Sequence, residues 1–566
     1  QLLAVGALLL PKLWDERPDT FRIDGPLHLT FEVAPVIFSD DDVLALVLAP
    51  LAMVAVGLWL RYTKVGIAVR ASAENADRAS LLGVPVRRLQ TVVWVVATVL
   101  SFLAMFLRAG IIGLPFGSAF TFTLLLSSLA ALTLGRFTHL PAIGLAAISL
   151  GVLEVAVDWN ADNPLLIDPS IGLVIFVGLL LQPRPRTRAA QDDASSWAAS
   201  EDVRPVPAVL RRLPEVRIAR GVGLAVLVVG ALALPHLLGT EDSLKASAVL
   251  IFALVGLSIV VLTGWAGQVS LGQMGFVGAG AAVTAVATSD WGLDLALALP
   301  LAAVVGGLIA LVVGLPALRL RGLFLAVTTL AFGLAMSSYF LNQDFFDWVP
   351  SGRVDRPPLF GRIDLDSPTR IYYLVLVVLV LCLAGLQGVR HSRTGRVLIA
   401  LRENERAAQS FGVSATRVKL LAFAMSGAIA ALAGGLLLEH QQAFTPELYG
   451  PFESVNVFIA TVIGGLGTLA GAIFGALFLR GAQWFLPLDW RALAAPVGVL
   501  LVLLVVPEGI GGLVFRTRDA ILRWASDRRG LVVPSLTRDA GTEGDGPDPG
   551  GPDVPDAPAD EDEVAA

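Results

Sequence analysis

The sequence predicts an all-α fold: a polytopic transmembrane helical bundle made of two tandem homologous units. Three observations lead there. Of 566 residues, 55% are hydrophobic and only 16% charged, whereas a soluble domain is about one quarter charged. Many apolar runs reach roughly the 17–25 residues that cross a bilayer as a helix. A charged segment at 71–84, ASAENADRASLLGV, returns 329 positions later at 400–413 as ALRENERAAQSFGV. A β-barrel would instead alternate apolar and polar residues over strands of about ten.

In chain order, about sixteen candidate spans are expected. The first part offers 1–13, 43–60, 91–108, 119–135, 140–158 and 165–182. The second offers 221–238, 247–264, 270–288, 293–314, 323–341, 371–389, 418–438, 452–467, 470–487 and 492–507. The stretch 270–288 is short enough to be re-entrant instead. Gln1 opens inside an apolar run, so a chain truncated at its N-terminus is expected. The domains read as 1–182, a first helical unit; 183–218, a polar, Pro-containing linker; 219–515, a second unit; and 516–566, a basic segment followed by an acidic Pro/Gly-rich tail, expected to be disordered.

Charge orients the bundle. Segment 61–90 carries Arg61, Lys64, Arg70, Arg78, Arg87 and Arg88; segment 390–419 carries six Arg and Lys419. By contrast, 14–42 holds eight acidic residues against two Arg. Basic loops stay inside, which makes both charged segments, the linker and the C-terminus cytoplasmic. The net charge of −6 includes the acidic tail, so the membrane body is nearer neutral or basic. The single cysteine, Cys382, excludes an intrachain disulfide.

The repeat is the main organisational feature. At a fixed offset of 329, Arg61, Gly66, Ala71, Glu74, Asn75, Ala79, Gly83, Val84 and Arg88 match Arg390, Gly395, Ala400, Glu403, Asn404, Ala408, Gly412, Val413 and Arg417. An RID tripeptide precedes each copy, at 22–24 and 362–364. The first unit lacks a counterpart of roughly 219–322. Each charged segment is expected to be a short amphipathic helix, with Ala407, Ala408 and Phe411 on one apolar face. Gly83 and Gly412 stand where a left-handed residue would stop it. Such a helix can dock in a partner's groove. It can equally be a charged loop that only enforces topology, although topology does not require the same Glu-Asn pair and glycine at matched spacing.

Four stretches carry a resemblance. The loop pattern GR…A.REN…AA..GV is similar to the cytoplasmic loop of branched-chain amino acid ABC importer permeases. GWAGQVSLGQMGFVGAGA (264–281) is very similar to a signature of the LivM-type subunit. VIGGLGTLAGAIFG (462–475) and VVPEGIGGL (505–513) are also family-like. Residues 219–515 thus resemble a LivM-type permease, and 1–182 the later part of a LivH-type permease. In that family the loop holds the coupling helix that seats in the ATPase subunit. The resemblance therefore implies docking through Glu74, Asn75, Ala79 and Gly83 in one copy, and Arg402, Glu403, Asn404, Ala408 and Gly412 in the other.

The glycine-rich stretches raise a second candidate site. Gly264, Gly267, Gly272 and Gly275, with Gln268, Ser270 and Gln273, put helix-breaking and polar groups at membrane depth. Non-helical backbone is tolerated there when buried in protein or lining a watery cavity. Gly464, Gly465 and Gly467 repeat that logic. These residues are candidates for the translocation path; close helix packing by small residues is the other reading. At offset 329 the second stretch corresponds to LTLGRFTHLPAIGLA (132–146), where only Gly135 survives. That departure puts a symmetrical surface in the first unit in doubt. His139 and Glu154 are read as interfacial before any proton-linked role.

No GxxxxGK[ST] phosphate loop, HExxH, CxxC or nucleophile elbow occurs. SLGQM (270–274) superficially resembles an ABC signature but lies in an apolar run. The chain is therefore not expected to be an enzyme, to bind a cofactor or metal, or to contact nucleic acid. The expected partners are two cytoplasmic ATPase subunits that bind ATP, an extracytoplasmic substrate-binding protein, the bilayer and a small amino acid. The expected location is the plasma or inner membrane, multi-pass. By resemblance the substrate is Leu, Ile or Val; urea, amides or other amino acids stay open. A secondary transporter would need ion-coupling acids at the midplane, which are scarce, and a scaffold would not need broken spans.

Overall fold

In the computed structural model the described residues are 20–21, 31–33, 36–111, 114–115, 127–135, 139–160, 166–181, 210, 213–318, 322–350, 352–485, 500 and 509–528. Among them eight helices are long and apolar enough to span a membrane, or nine if one bent pair counts as a span. The chain is a multi-pass helical membrane protein. Its contacts divide it into two units: Gln1–Val203 with Ala231–Leu513, and Arg204–Gly230 with Val514–Ala566.

The first-part helices are α1 (Asp40–Tyr62), α2 (Lys64–Glu74), α3 (Ala76–Leu81), α4 (Val86–Ile111), α5 (Leu140–Asn160) and α6 (Ile167–Leu181). Ser39 starts α1 with a capping box: its hydroxyl accepts from Asp42 N, while the Asp42 carboxylate accepts from Ser39 N. Asp40, Asp41 and Asp42 suit the positive end of the helix dipole. The second part runs α7 (Pro214–Leu237), α8 (Thr240–Ile259), α9 (Gln273–Ser289), α10 (Leu295–Ala317), α11 (Leu323–Ala335), α12 (Pro368–His391), α13 (Arg393–Glu403), α14 (Glu405–Ser410), α15 (Ala415–Gln441), α16 (Pro451–Gly464), α17 (Leu469–Phe485) and α18 (Ile510–Arg528). Three two-stranded ribbons complete the fold: β1 (Thr20–Phe21) with β4 (Leu114–Pro115), β2 (Phe31–Val33) with β3 (Val36–Phe38), and β5 (Gly352–Arg353) with β6 (Ala443–Phe444).

Among the described residues, several of the about sixteen candidate spans do not form full-length helices. Stretch 270–288 yields only the 17-residue α9, because residues 266–272 leave the helix. Stretches 452–467 and 470–487 form α16 and α17, a pair bent by 119°. The apolar part of α6 is short, at Pro169–Gly178, and so is the apolar helix formed by α11 and the π-helical turn Met336–Phe340 after it, at Phe324–Phe340. Stretches 1–13, the 119–126 part of 119–135, and 492–507 apart from Leu500 lie outside the described residues. So do the RID at 22–24, the linker 183–209 and the tail after 528.

The core centres on α8. The membrane-length window of α8 taken with the turn that continues it (Thr240–Trp265) is 94% buried, against 0% for α1. Helices α9, α12, α15 and α17 pack around α8, and α9, α10 and α15 form the tightest group. Gly427 allows one such approach: a Cβ there would stand 2.7 Å from the Gly306 carbonyl. The first part joins the core through Ile171 and Ile175 of α6, clustered with Val327 and Ala331 of α11. In the smaller unit, Leu210 and Leu522 pack together with Leu213 and Val216.

At the end of α15 far from the basic loops, Arg356 straps the 342–367 loop to the helix. Its guanidinium donates to the Glu439 and His440 carbonyls and to Leu365 O (3.3 Å). Burial pulls the Arg356 pKa down, and the Glu439 charge opposes that.

Candidate functional site

The two charged segments fold alike. Each is a pair of helices joined at an extended asparagine, Asn75 (φ −158°, ψ 103°) or Asn404 (φ −150°, ψ 97°). This corrects the expectation of one short helix per copy. The asparagine ends one helix and caps the next: Asn75 Oδ1 accepts from Arg78 N at 2.8 Å, and Asn404 Oδ1 from Ala407 N at 2.9 Å. The stop also repeats. Val84 N donates to Ala79 O (3.0 Å) and Val413 N to Ala408 O (3.2 Å), with Gly83 at φ +82° and Gly412 at φ +81°.

Ala79 and Ala408 turn inward and are buried, while Glu74 and Glu403 are exposed. Phe411 is not part of a buried strip. It is 88% exposed, and its counterpart Leu82 is 84% exposed. Ala407 is exposed as well, and Phe411 stands past the last helical residue as the C-cap of α14, so of the face drawn through Ala407, Ala408 and Phe411 only Ala408 is buried. Sequence reading missed this pair of apolar knobs. Setting Leu82 beside Phe411 at the same offset would have found it.

Two long side chains tie the second copy into the bundle. Arg402 is 12% exposed at its side chain and donates from Nη1 to Gly264 O at 2.7 Å. Its Cγ would lie 3.0 Å from a Cβ on Gly267. Lys419 Nζ meets Glu405 Oε2 at 3.1 Å, with side chains 7% and 22% exposed. At the matching positions the first copy has Ala73, Ala76 and Gln90. Arg402 thus brings the docking candidates and the path candidates together.

Gly264 lies in a π-helical turn (Val260–Trp265) that continues α8. The chain then breaks. Gly267 has φ +67°, Thr263 Oγ1 donates to Gln268 O (3.1 Å), and Gln268 Nε2 donates to Ala266 O (3.2 Å). A buried polar network holds the far side of the break. Gln273 Nε2 donates to Ser258 Oγ (2.8 Å) and Ser426 Oγ (2.9 Å), and its Oε1 accepts from Ser270 Oγ (3.3 Å). Leu271 N donates to Thr329 Oγ1 (2.9 Å), and Met274 N to Ser454 Oγ (3.2 Å). Ser258, Thr329, Ser426 and Ser454 are not among the sequence candidates; Ser258 and Ser426 carry a signal as isolated hydroxyls inside apolar runs, whereas Thr329 follows Thr328 and Ser454 follows Glu453.

A second break lies between α16 and α17. Gly465 has φ +107°, Gly467 sits in the turn, and Thr468 Oγ1 accepts from Gly471 N (2.9 Å). The Leu466 carbonyl presses on Gly264, so the two breaks touch. Gly272 packs on the Thr329 backbone, Gly275 on Phe332 and Gly333, and Gly464 on Gly471. Gly267 is exposed and Gln268 half-buried. His139, Glu154 and Asp158 are exposed.

Residues 4–181 and 245–506 match the family described as "Branched-chain amino acid transport system / permease component". The chain belongs to this permease family. LivM of Salmonella typhimurium, a high-affinity branched-chain amino acid transport system permease protein, is 31% identical over 313 residues, 51% of this chain and 74% of LivM. LivH of the same organism is 32% identical over 151 residues, 26% of this chain. The chain spans about half of LivH (49%). The autoinducer 2 import system permease LsrC of an Enterobacter species is 29% identical over 293 residues, 49% of this chain and 79% of LsrC. No solved structure matches. Permeases of this family are membrane transport components, and the family matches two segments in tandem, as the repeat predicts.

Proposed function

We propose that the chain is the membrane permease of an ABC uptake system for branched-chain amino acids, with a LivH-like and a LivM-like unit in one polypeptide. A binding protein delivers the amino acid outside. Two ATPase subunits seat on the cytoplasmic loops and supply the energy, since the sequence has no phosphate loop. ATP stays with those subunits. The observation that carries this reading is the repeated loop itself. Two copies present an exposed apolar residue, Leu82 or Phe411, beside the same capped asparagine and glycine stop. A projecting apolar side chain next to Glu74 or Glu403 suits a partner groove, and two loops suit two partners.

The loops face the cytoplasm because their arginines favour that side, and the same rule places the C-terminus inside. The path follows the breaks at 264–275 and 464–467, where parting of the packed backbones would open a way between sides. LsrC takes a different cargo by name, so the substrate could differ within this architecture, and a competition panel of Leu, Ile, Val, amides and urea separates the cases.

The test is co-purification with the ATPase subunits and ATP-driven uptake in proteoliposomes. Leu82→Asp together with Phe411→Asp should abolish assembly while the detergent-solubilised permease stays monodisperse, because both side chains are exposed. Undiminished assembly and uptake in that variant would overturn the docking assignment.

A further inference from the structure

The Arg402 side chain reaches into the bundle: one guanidinium nitrogen meets the Gly264 carbonyl, and the other stands 3.7 Å from the carboxylate of the exposed Glu403. Arg402 is the last residue but one of α13, and its guanidinium ends on the carbonyl of Gly264, inside the π-helical turn that continues α8. A carbonyl at a π-helical turn has an irregular backbone partner pattern, and a charged donor supplies a strong replacement. The aliphatic stem of Arg402 lies along Gly267, whose φ of +67° makes the turn. On the other side of Gly264 stands the Leu466 carbonyl of the second break. Behind Arg402, Lys419 and Glu405 clamp the following helix α14 to α15. One side chain therefore joins the loop to the point where both breaks meet.

We propose that Arg402 is a positioning residue that couples movement of the 393–412 loop to the α8 break at Gly264, and that the 64–83 loop, with Ala73 in its place, docks without this tie. The inference rests on the docking reading above for its consequence, but the tie itself is a property of this chain alone. The two loops then differ in role: both hold an ATPase subunit, and only the second one transmits its movement directly to the break.

Two measurements test it on the full chain in nanodiscs, with wild type, Arg402→Met and Arg402→Lys. The first is amide exchange without the ATPase. Loss of the guanidinium should speed exchange at Gly267 and Gln268, whose N–H groups bond to Thr263 O and Leu262 O, by about fivefold or more through local opening. Exchange in 405–412 should not change. The second is amino acid taken up per ATP hydrolysed with the ATPase and binding protein present. Arg402→Met should retain co-purification yet lower that ratio about fivefold or more, the usual span of a coupling effect. Arg402→Lys, which keeps the charge but replaces the planar fork by one compact ammonium, should recover part of both. Unchanged exchange at 267–268 would overturn the tie. An unchanged uptake ratio with faster exchange would overturn its coupling role. A wild-type chain that fails to co-purify with the ATPase would instead count against the docking reading, and the exchange result still decides the tie.

Discussion

The loop at 64–83 and the loop at 393–412 share a backbone and differ in what fastens it. In both, an extended asparagine caps the second helix, an alanine is buried beneath it and a left-handed glycine ends it. In the second loop, Arg402 reaches Gly264 and Lys419 meets Glu405. The first loop has Ala73, Ala76 and Gln90 there, all exposed. The local turn thus comes from a few backbone-directed residues, and its attachment to the bundle comes from separate long side chains. The turn is retained where Arg402, Glu405 and Lys419 have no counterpart.

The largest effect should come from a feature both loops share. Gly66 and Gly395 sit where the chain folds back on the preceding helix. A Cβ on Gly66 would meet the Trp59 and Leu60 backbone, and one on Gly395 the Val389 and Arg390 backbone. Backbone cannot swing aside as a side chain does. Gly66→Val and Gly395→Val should each cost about 3 kcal/mol or more, read as a fall in thermal midpoint in detergent. A loss at Gly395 alone would break the equivalence of the two turns.

Next comes the difference. Lys419→Met leaves Glu405 facing a hydrophobic side chain. Breaking a buried pair costs roughly 3–5 kcal/mol, but Glu405 is 22% exposed and can regain water, so about 2 kcal/mol is expected. Adding Glu405→Gln should restore part of that loss. Gln90→Met, at the matching exposed site, should change the midpoint by less than about 0.5 kcal/mol. Equal effects at 90 and 419 would remove the distinction between the loops.

These contrasts also show what could be read in advance. The helical membrane class was legible because span length and apolar composition are backbone-scale properties. Gly83 and Gly412 were legible as stops because few residues tolerate that φ. Asn75 and Asn404 were visible as a repeated residue but not as breaks, because their capping role depends on how the flanking helices pack. The bent pair α16–α17 was read as two spans, since hydropathy measures length and not direction. The partner of Arg402 lies 138 residues away, and nothing in a one-dimensional pattern pairs a guanidinium with a carbonyl at that separation.

The smallest effect should again be common to both loops, and it isolates the caps from the ties. Asn75→Ala and Asn404→Ala each remove one side-chain acceptor from a helix start, which costs about 1 kcal/mol. The bonds removed are alike, 2.8 Å to Arg78 N and 2.9 Å to Ala407 N. Amide exchange at Arg78 and at Ala407 is the direct reading, since each loses its acceptor. If the caps act alone, the two amides should gain exchange by the same factor. In the second loop, however, α14 is also held by Lys419, so its opening is limited by more than the cap. A smaller acceleration at Ala407 that grows to match Arg78 when Lys419→Met is added would show that the salt bridge supports the cap. A matched acceleration without that addition would confine the pair's action to the α14–α15 contact.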